Sequence, residues 1–246
     1  SSPNDTSTFG TNVIFTATVA VSGGITPSGS VSFYNGATYL GSGSLNGSGV
    51  ATYSTASLPV GANPITATYT DVNNVTGTSS PLTQTVKQQT TTSVGSSVNP
   101  SIFGSPVMFT ATVVATGSVA PTGTVAFFDG ATQIGTGTLT ANGAVSATAS
   151  FQTSSLSAGT HAISVSYSGD ADNFSSTSAA LSQTVNIAST TTILSASANP
   201  AIAGKSVTFT ARVTANSGTA AGTVRFYNGA TLLGSGTLNG AGVAFV

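Results

Sequence analysis

The chain has 246 residues, of which 39% are hydrophobic and only 4% charged, with a formal net charge of −1 and no Cys; an ordinary soluble domain is about 25% charged. Four basic residues (Lys87, Lys205, Arg212 and Arg225) are too few for a phosphate-neutralising patch, which argues against nucleic acid as a partner. No apolar run has the length of a membrane span, no basic amphipathic helix is visible, and a mean hydropathy of +0.30 with almost no net charge is the opposite of a disordered composition.

Taken in chain order, the strand signals come in blocks that recur about a hundred residues apart, a domain-sized period. The first block is Val-x-Phe-Thr-Ala at residues 13–17, 107–111 and 207–211. Val13, Phe15, Ala17 and Val19 alternate there with Ile14, Thr16 and Thr18, so one face meets a core and a hydroxyl face meets solvent. Thr suits the outer face because its β-branch fits extended backbone. The second block runs Pro-Ser-Gly-Ser-Val-Ser-Phe-Tyr-Asn-Gly at 27–36, Pro-Thr-Gly-Thr-Val-Ala-Phe-Phe-Asp-Gly at 121–130 and Gly-Thr-Val-Arg-Phe-Tyr-Asn-Gly at 222–229. Its closing Asn-Gly or Asp-Gly reads as a hairpin turn of type I′. A further turn follows at Asn46-Gly47, Asn142-Gly143 and Asn239-Gly240. Residues 57–69 and 155–167 form a block present in two copies only. The joins, 86–92 and 185–192, are poor in Gly and Pro, so the last strand of one repeat should run almost directly into the first strand of the next.

Short strands divided by such turns, with no helical period, predict an all-β chain of tandem antiparallel sandwiches. The expected divisions are 1–87, 88–187 and 188–246, with the first repeat lacking its first strand and the third its last strands. Phe15, Phe33, Phe109, Phe127, Phe209 and Phe226 should be buried, beside Val31, Val125 and Val224. The combination of Val-x-Phe-Thr-Ala-x-Val, Pro-x-Gly-x-Val-x-Phe-Tyr-Asn-Gly, Ser-Leu-x-x-Gly-x-His/Asn-x-Ile and Tyr-x-Gly-Asp resembles bacterial Ig-like repeat domains over the whole chain. The resemblance implies Ig-like sandwiches that occur in tandem in adhesins, surface fibres and secreted multidomain proteins. The Cys pair and core Trp of antibody domains are missing.

Chemistry-bearing residues are few. His161 is the only His, and the acids nearest to it in sequence, Asp170 and Asp172, lie past the end of its strand, so a triad is not expected. Five Asp spread over the first two repeats do not suggest the facing carboxylates of a glycosidase. The densest polar cluster is Asp170, Asp172 and Asn173, with Asp71, Asn73 and Asn74 as its counterpart; one loop offering clustered oxygens could take calcium, although the same residues simply make turns. The Gly-rich stretch 41–45 has no following Lys or helix and is not a phosphate loop. Lys87 and Lys205 have few carboxylates to assist an isopeptide bond. Asn4, Asn46, Asn74 and Asn173 begin N-glycan sequons of the kind expected by chance in a chain that is about a third Ser and Thr.

No signal peptide and no initiator Met are visible, so the chain is expected to be a mature or excised piece of a longer product. The expected function is structural and non-enzymatic: a subunit of an extracellular fibre or filament whose chains complete one another's terminal sandwiches by strand addition. Two alternatives stand beside it. One is the stalk or glycan-binding region of a surface adhesin, with Tyr34, Tyr39 and Tyr53 as the concentrated aromatics; the other is an accessory spacer of a secreted enzyme.

Overall fold

The computed structural model describes residues 5–21, 26–71 and 76–246. Among them there is no helix. The first repeat contributes β1 (Thr6–Thr8), β2 (Val13–Thr18), β3 (Ser30–Asn35), β4 (Thr38–Ser44), β5 (Val50–Thr55), β6 (Gly61–Thr70), β7 (Thr76–Thr78) and β8 (Leu82–Lys87). The second contributes β9 (Thr90–Ser96), β10 (Ser101–Ile102), β11 (Val107–Ala115), β12 (Thr124–Asp129), β13 (Thr132–Thr138), β14 (Thr140–Ala141), β15 (Ser146–Thr153), β16 (Gly159–Tyr167), β17 (Ser176–Thr177) and β18 (Leu181–Asn186). The third contributes β19 (Thr190–Ala196), β20 (Phe209–Ala215), β21 (Thr223–Asn228), β22 (Thr231–Thr237) and β23 (Val243–Phe245).

The second repeat has both sheets filled. One runs β10-β18-β16-β12-β13 with β17 on β16; the facing sheet runs β14-β15-β11-β9. The period-two pattern places Val107, Phe109, Ala111 and Val113 of β11 inside, against Val125 and Phe127 of β12 and Ile163 and Val165 of β16. Phe109, Phe127, Ile163 and Val165 have no exposure at all.

The other repeats are thinner. The first keeps the sheet β1-β8-β6-β3-β4, with β7 on β6, but its facing sheet is only β2-β5. The third has β19-β20-β23 facing β21-β22. Core burial follows this count of strands. Phe15, Phe33, Val31 and Phe226 are buried as expected, while Phe209 and Val224 are only half-buried. Nothing among the described residues plays in the third repeat the part that β16 and β18 play in the second, and Phe209 of β20 and Val224 of β21 are accordingly less covered.

The hairpins differ from the type I′ expectation by one position. Asn35 pairs with Thr38 and closes β3, so the two-residue loop is Gly36-Ala37, with Gly36 at a φ of 56°. The Asn is therefore the last strand residue and its side chain is free for another use, described below. Each hairpin carries a register shift at the same place, between Phe33 and Tyr34, Phe127 and Phe128, and Phe226 and Tyr227. The glycines of the 41–45 stretch are packing devices: a Cβ on Gly43 would stand 2.2 Å from the Thr52 carbonyl oxygen, because β4 closes the sandwich against β5 with no room for a side chain.

Candidate functional site

Function in a tandem array rests on how repeats are joined. Only Gln88 and Gln89 separate β8 from β9. Gln88 is fully buried, which is rare for Gln, and all its polar atoms but Oε1 are engaged among the described residues. Its backbone N–H donates to the Asp172 carbonyl (2.9 Å), its carbonyl accepts from Phe174 N–H (3.0 Å), and its Nε2 donates to Asn173 Oδ1 (3.0 Å) and the Val119 carbonyl. Lys87 Nζ donates to the Asp170 carbonyl at 2.6 Å. The link between repeats is thus held in the loop that follows β16.

That loop contains Asp170, Asp172 and Asn173. The Asp170 carboxylate accepts from Thr122 N–H (2.9 Å) and Oγ1 (2.7 Å), from the N–H groups of Asp172 (2.9 Å) and Asn173 (2.8 Å), and from Asn173 Nδ2. Burial alone would raise its pKa, but these donors outweigh burial and hold it well below the usual carboxylate range. Asn173 is fully buried, its amide spanning Asp170 and Gln88. Among the described residues no group of three His, Cys, Asp or Glu could hold a metal. As calcium ligands, Asp170, Asp172 and Asn173 would have to trade these hydrogen bonds for the ion. The expected result is a melting temperature unmoved by millimolar calcium; a rise that chelator reverses would assign the loop to the metal. The counterpart residues Asn73 and Asn74, and the sequon at Asn4, lie outside the described residues. Asn46 uses its side chain at home, with Oδ1 accepting from the N–H groups of Ser48 and Val50.

His161 does have a carboxylate partner, from the turn between β12 and β13 rather than from its own neighbourhood in sequence. Its Nδ1 stands 2.6 Å from Asp129 Oδ2, and its Nε2 stands 2.8 Å from the Ser157 carbonyl oxygen. Both ring nitrogens are therefore spoken for, and neither activates a nucleophile. The first repeat builds the same bridge without charge. Asn35 Nδ2 donates to Asn63 Oδ1 (2.7 Å), and Asn63 Nδ2 donates to the Pro59 carbonyl (3.0 Å), four residues back as Ser157 is from His161. The sequence reading missed this contact; the swap of both partners between repeats, Asn35 with Asn63 for Asp129 with His161, is the signal that could have found it.

Burial lowers the His161 pKa, but hydrogen bonds to Asp129 and Ser157 and the Asp129 charge raise it on balance above its ordinary 6.5. A raised pKa means that the folded state binds the proton more tightly. The stabilisation is complete below the unfolded-state value and is lost as pH rises through the folded-state value. The second repeat should therefore melt at a lower temperature at pH 8.5 than at pH 5.5. His161→Asn should flatten that difference, as read by calorimetry at the two pH values.

The aromatic candidates separate. Tyr53 belongs to the core edge, stacked on Phe33 at 5.7 Å with its hydroxyl donating to the Leu40 carbonyl. Tyr34 and Tyr39 form an edge-to-face pair 5.5 Å apart, with Tyr39 56% exposed.

Among the described residues, a groove of about 570 Å³ lies between β2 and the β6–β7 side of the first repeat, lined by Phe15, Ala17, Val19, Ile65, Ala67 and Tyr69 among others. In the second repeat the corresponding place holds β9, antiparallel to β11, with Thr90 and Thr92 hydroxyls on Ser176 of β17. The third repeat has a smaller opening of about 180 Å³, lined in part by Leu194, Phe209 and Val224.

Tandem antiparallel sandwiches whose strands pass almost directly from one repeat to the next, the first two through a buried link, define an immunoglobulin-like repeat protein. The chain belongs to the bacterial Ig-like domain (group 3) family, whose model matches residues 1–87, 91–186 and 194–246. Among solved structures it is similar to the fibronectin(III)-like modules of Clostridium thermocellum CbhA, with 21% identity and a TM-score of 0.32 over 74% of this chain and 88% of that one. It is also similar to the full ectodomain (Ig1–Ig3) of mouse nectin-like molecule 4, with 12% identity and a TM-score of 0.45 over 98% of this chain and 85% of that one. No curated protein matches it.

Proposed function

We propose that this chain is a non-catalytic structural module of a bacterial surface or secreted protein, built as a fibre of sandwiches whose chains join by strand addition. The observation that carries the reading is the fully buried Gln88, which ties β8 of one repeat to the loop after β16 of the next. A spacer needs a joint that does not fold back, and a link of two residues hydrogen-bonded inside the neighbour resists bending. The proposed divisions fall after residues 87 and 187. Joining of chains by strand addition is the finer part of this reading, and the edges of the sheets are the surfaces it would use. A net charge of −1 offers little repulsion between copies. No helix among the described residues is long and apolar enough to cross a membrane.

Small-angle scattering should give an elongated particle, with sedimentation that speeds up as concentration rises. A compact particle that stays monomeric would reject the fibre reading and leave a stalk of an adhesin or a spacer of a secreted enzyme. The Tyr34–Tyr39 pair, with Tyr39 exposed, is the one observation that favours glycan contact instead, since sugars stack on exposed rings. A glycan array probed with wild-type and Tyr39→Ala protein separates that reading.

A further inference from the structure

We propose that Asn142 is a site of spontaneous chemical modification: of three equivalent turns, the one whose Asn cyclises with the following glycine and passes to aspartate and isoaspartate. The turn reads Asn46-Gly47-Ser48-Gly49, Asn142-Gly143-Ala144-Val145 and Asn239-Gly240-Ala241-Gly242 in the three repeats. In each, the Asn N–H donates to the carbonyl four residues on, at Val50, Ser146 and Val243. The first and third copies close further. Their fourth residue is a glycine at a φ of 71°, whose N–H donates to the Asn carbonyl at 2.9 Å. The closed turn also presents two N–H groups to the Asn side chain. Asn46 Oδ1 accepts from Ser48 (2.9 Å) and Val50 (3.0 Å), and Asn239 Oδ1 accepts from Ala241 (2.9 Å) and Val243 (3.1 Å).

The second copy has Val145 in the fourth place. A β-branched side chain is kept out of the left-handed region that glycine enters freely, so this turn cannot close in the same way. The positive angle falls on Gly143 instead, at 124°. Among the described residues no hydrogen bond runs from Val145 N–H to the Asn142 carbonyl, and none reaches Asn142 Oδ1. Asn142 and Gly143 are exposed, and a Cβ on Gly143 would meet nothing within 4 Å. The side chain is therefore free to turn its Cγ onto the Gly143 nitrogen. The new N–Cγ bond forms as the Cγ–Nδ2 bond breaks, and ammonia leaves with the proton of the Gly143 amide. Water then opens the five-membered imide at either carbonyl, giving aspartate or, with the main chain re-routed through the side chain, isoaspartate. Each conversion adds one negative charge to a chain whose net charge is −1. At Asn46 and Asn239 the same rotation first breaks both bonds to Oδ1, which slows it about tenfold at roughly threefold per hydrogen bond. Asn35 and Asn228 also precede glycines, but they pair across their hairpins with Thr38 and Thr231, and their backbone cannot turn without opening the ladder.

The full chain is held at pH 8, and aspartate and isoaspartate at each Asn-Gly are followed in time by peptide mapping and mass spectrometry, with oxygen-18 water marking the hydrolysed sites. Product at residue 142 should accumulate about tenfold faster than at residues 46 and 239. Val145→Gly restores the fourth-place glycine and should slow residue 142 to the rate of the other two. In urea that unfolds the chain the three rates should converge, because glycine follows the Asn in all three. Equal rates in the folded chain overturn the proposal. A fast residue 142 that Val145→Gly leaves fast, at an unchanged melting temperature, overturns it as well, since the open turn is then not the cause. An order of rates that persists in urea would assign the difference to local sequence and overturn it too. Should Val145→Gly lower the melting temperature, the comparison of folded and urea-unfolded wild type decides alone.

Discussion

Phe109→Ala should destabilise the second repeat by about 3–5 kcal/mol, the cost of emptying a fully buried aromatic site. Phe109 has no exposure and sits mid-strand on β11, with β9 on one side and β15 on the other, and the β12–β16 sheet over its ring. Neighbouring strands held by ladders on both edges cannot collapse into the space left behind. The same motif position in the third repeat gives the contrast. Phe209 is only half-buried and borders an opening, so Phe209→Ala removes less apolar contact and should cost about 1–2 kcal/mol. Urea dependence of hydrogen exchange at β11 and β20 amides reads the two repeats separately. A loss below about 1 kcal/mol at Phe109 would show that the inward face of β11 has been misassigned.

Asp170→Ala should cost the second repeat about 2–3 kcal/mol, through donors left without an acceptor rather than through lost packing. The carboxylate gathers the N–H groups of Thr122, Asp172 and Asn173 and the side chains of Thr122 and Asn173. Without it, the loop that receives Gln88 loses its shape, and the joint should loosen together with the fold. Two readouts follow: a lower melting temperature of the second repeat, and a broader distribution of distances between spin labels placed on the first and second repeats. Asp170→Asn keeps one acceptor oxygen and should recover part of both. A melting temperature lowered with the distance distribution unchanged would show that the loop stabilises its own repeat and leaves the joint alone.

Much of this fold was legible because a strand's side chains alternate and its turns need particular residues. Val107, Phe109, Ala111 and Val113 could be assigned inward from periodicity alone, and the three hairpins from their Asn-Gly or Asp-Gly pairs, although the loop itself proved to be Gly36-Ala37. The short joins also gave away the near-continuous passage from β8 to β9. What periodicity cannot report is which residues far apart in sequence meet at the same end of a sandwich. Asp129 and His161 are brought together by the pairing of β12 with β16, a long-range register with no local signature. Gln88 reads as a polar linker residue, and only the docking of the loop after β16 buries it. Burial at Phe209 and Val224 was overestimated for the same reason: a period of two says which face a side chain takes, while the number of strands lying over that face is decided by tertiary structure.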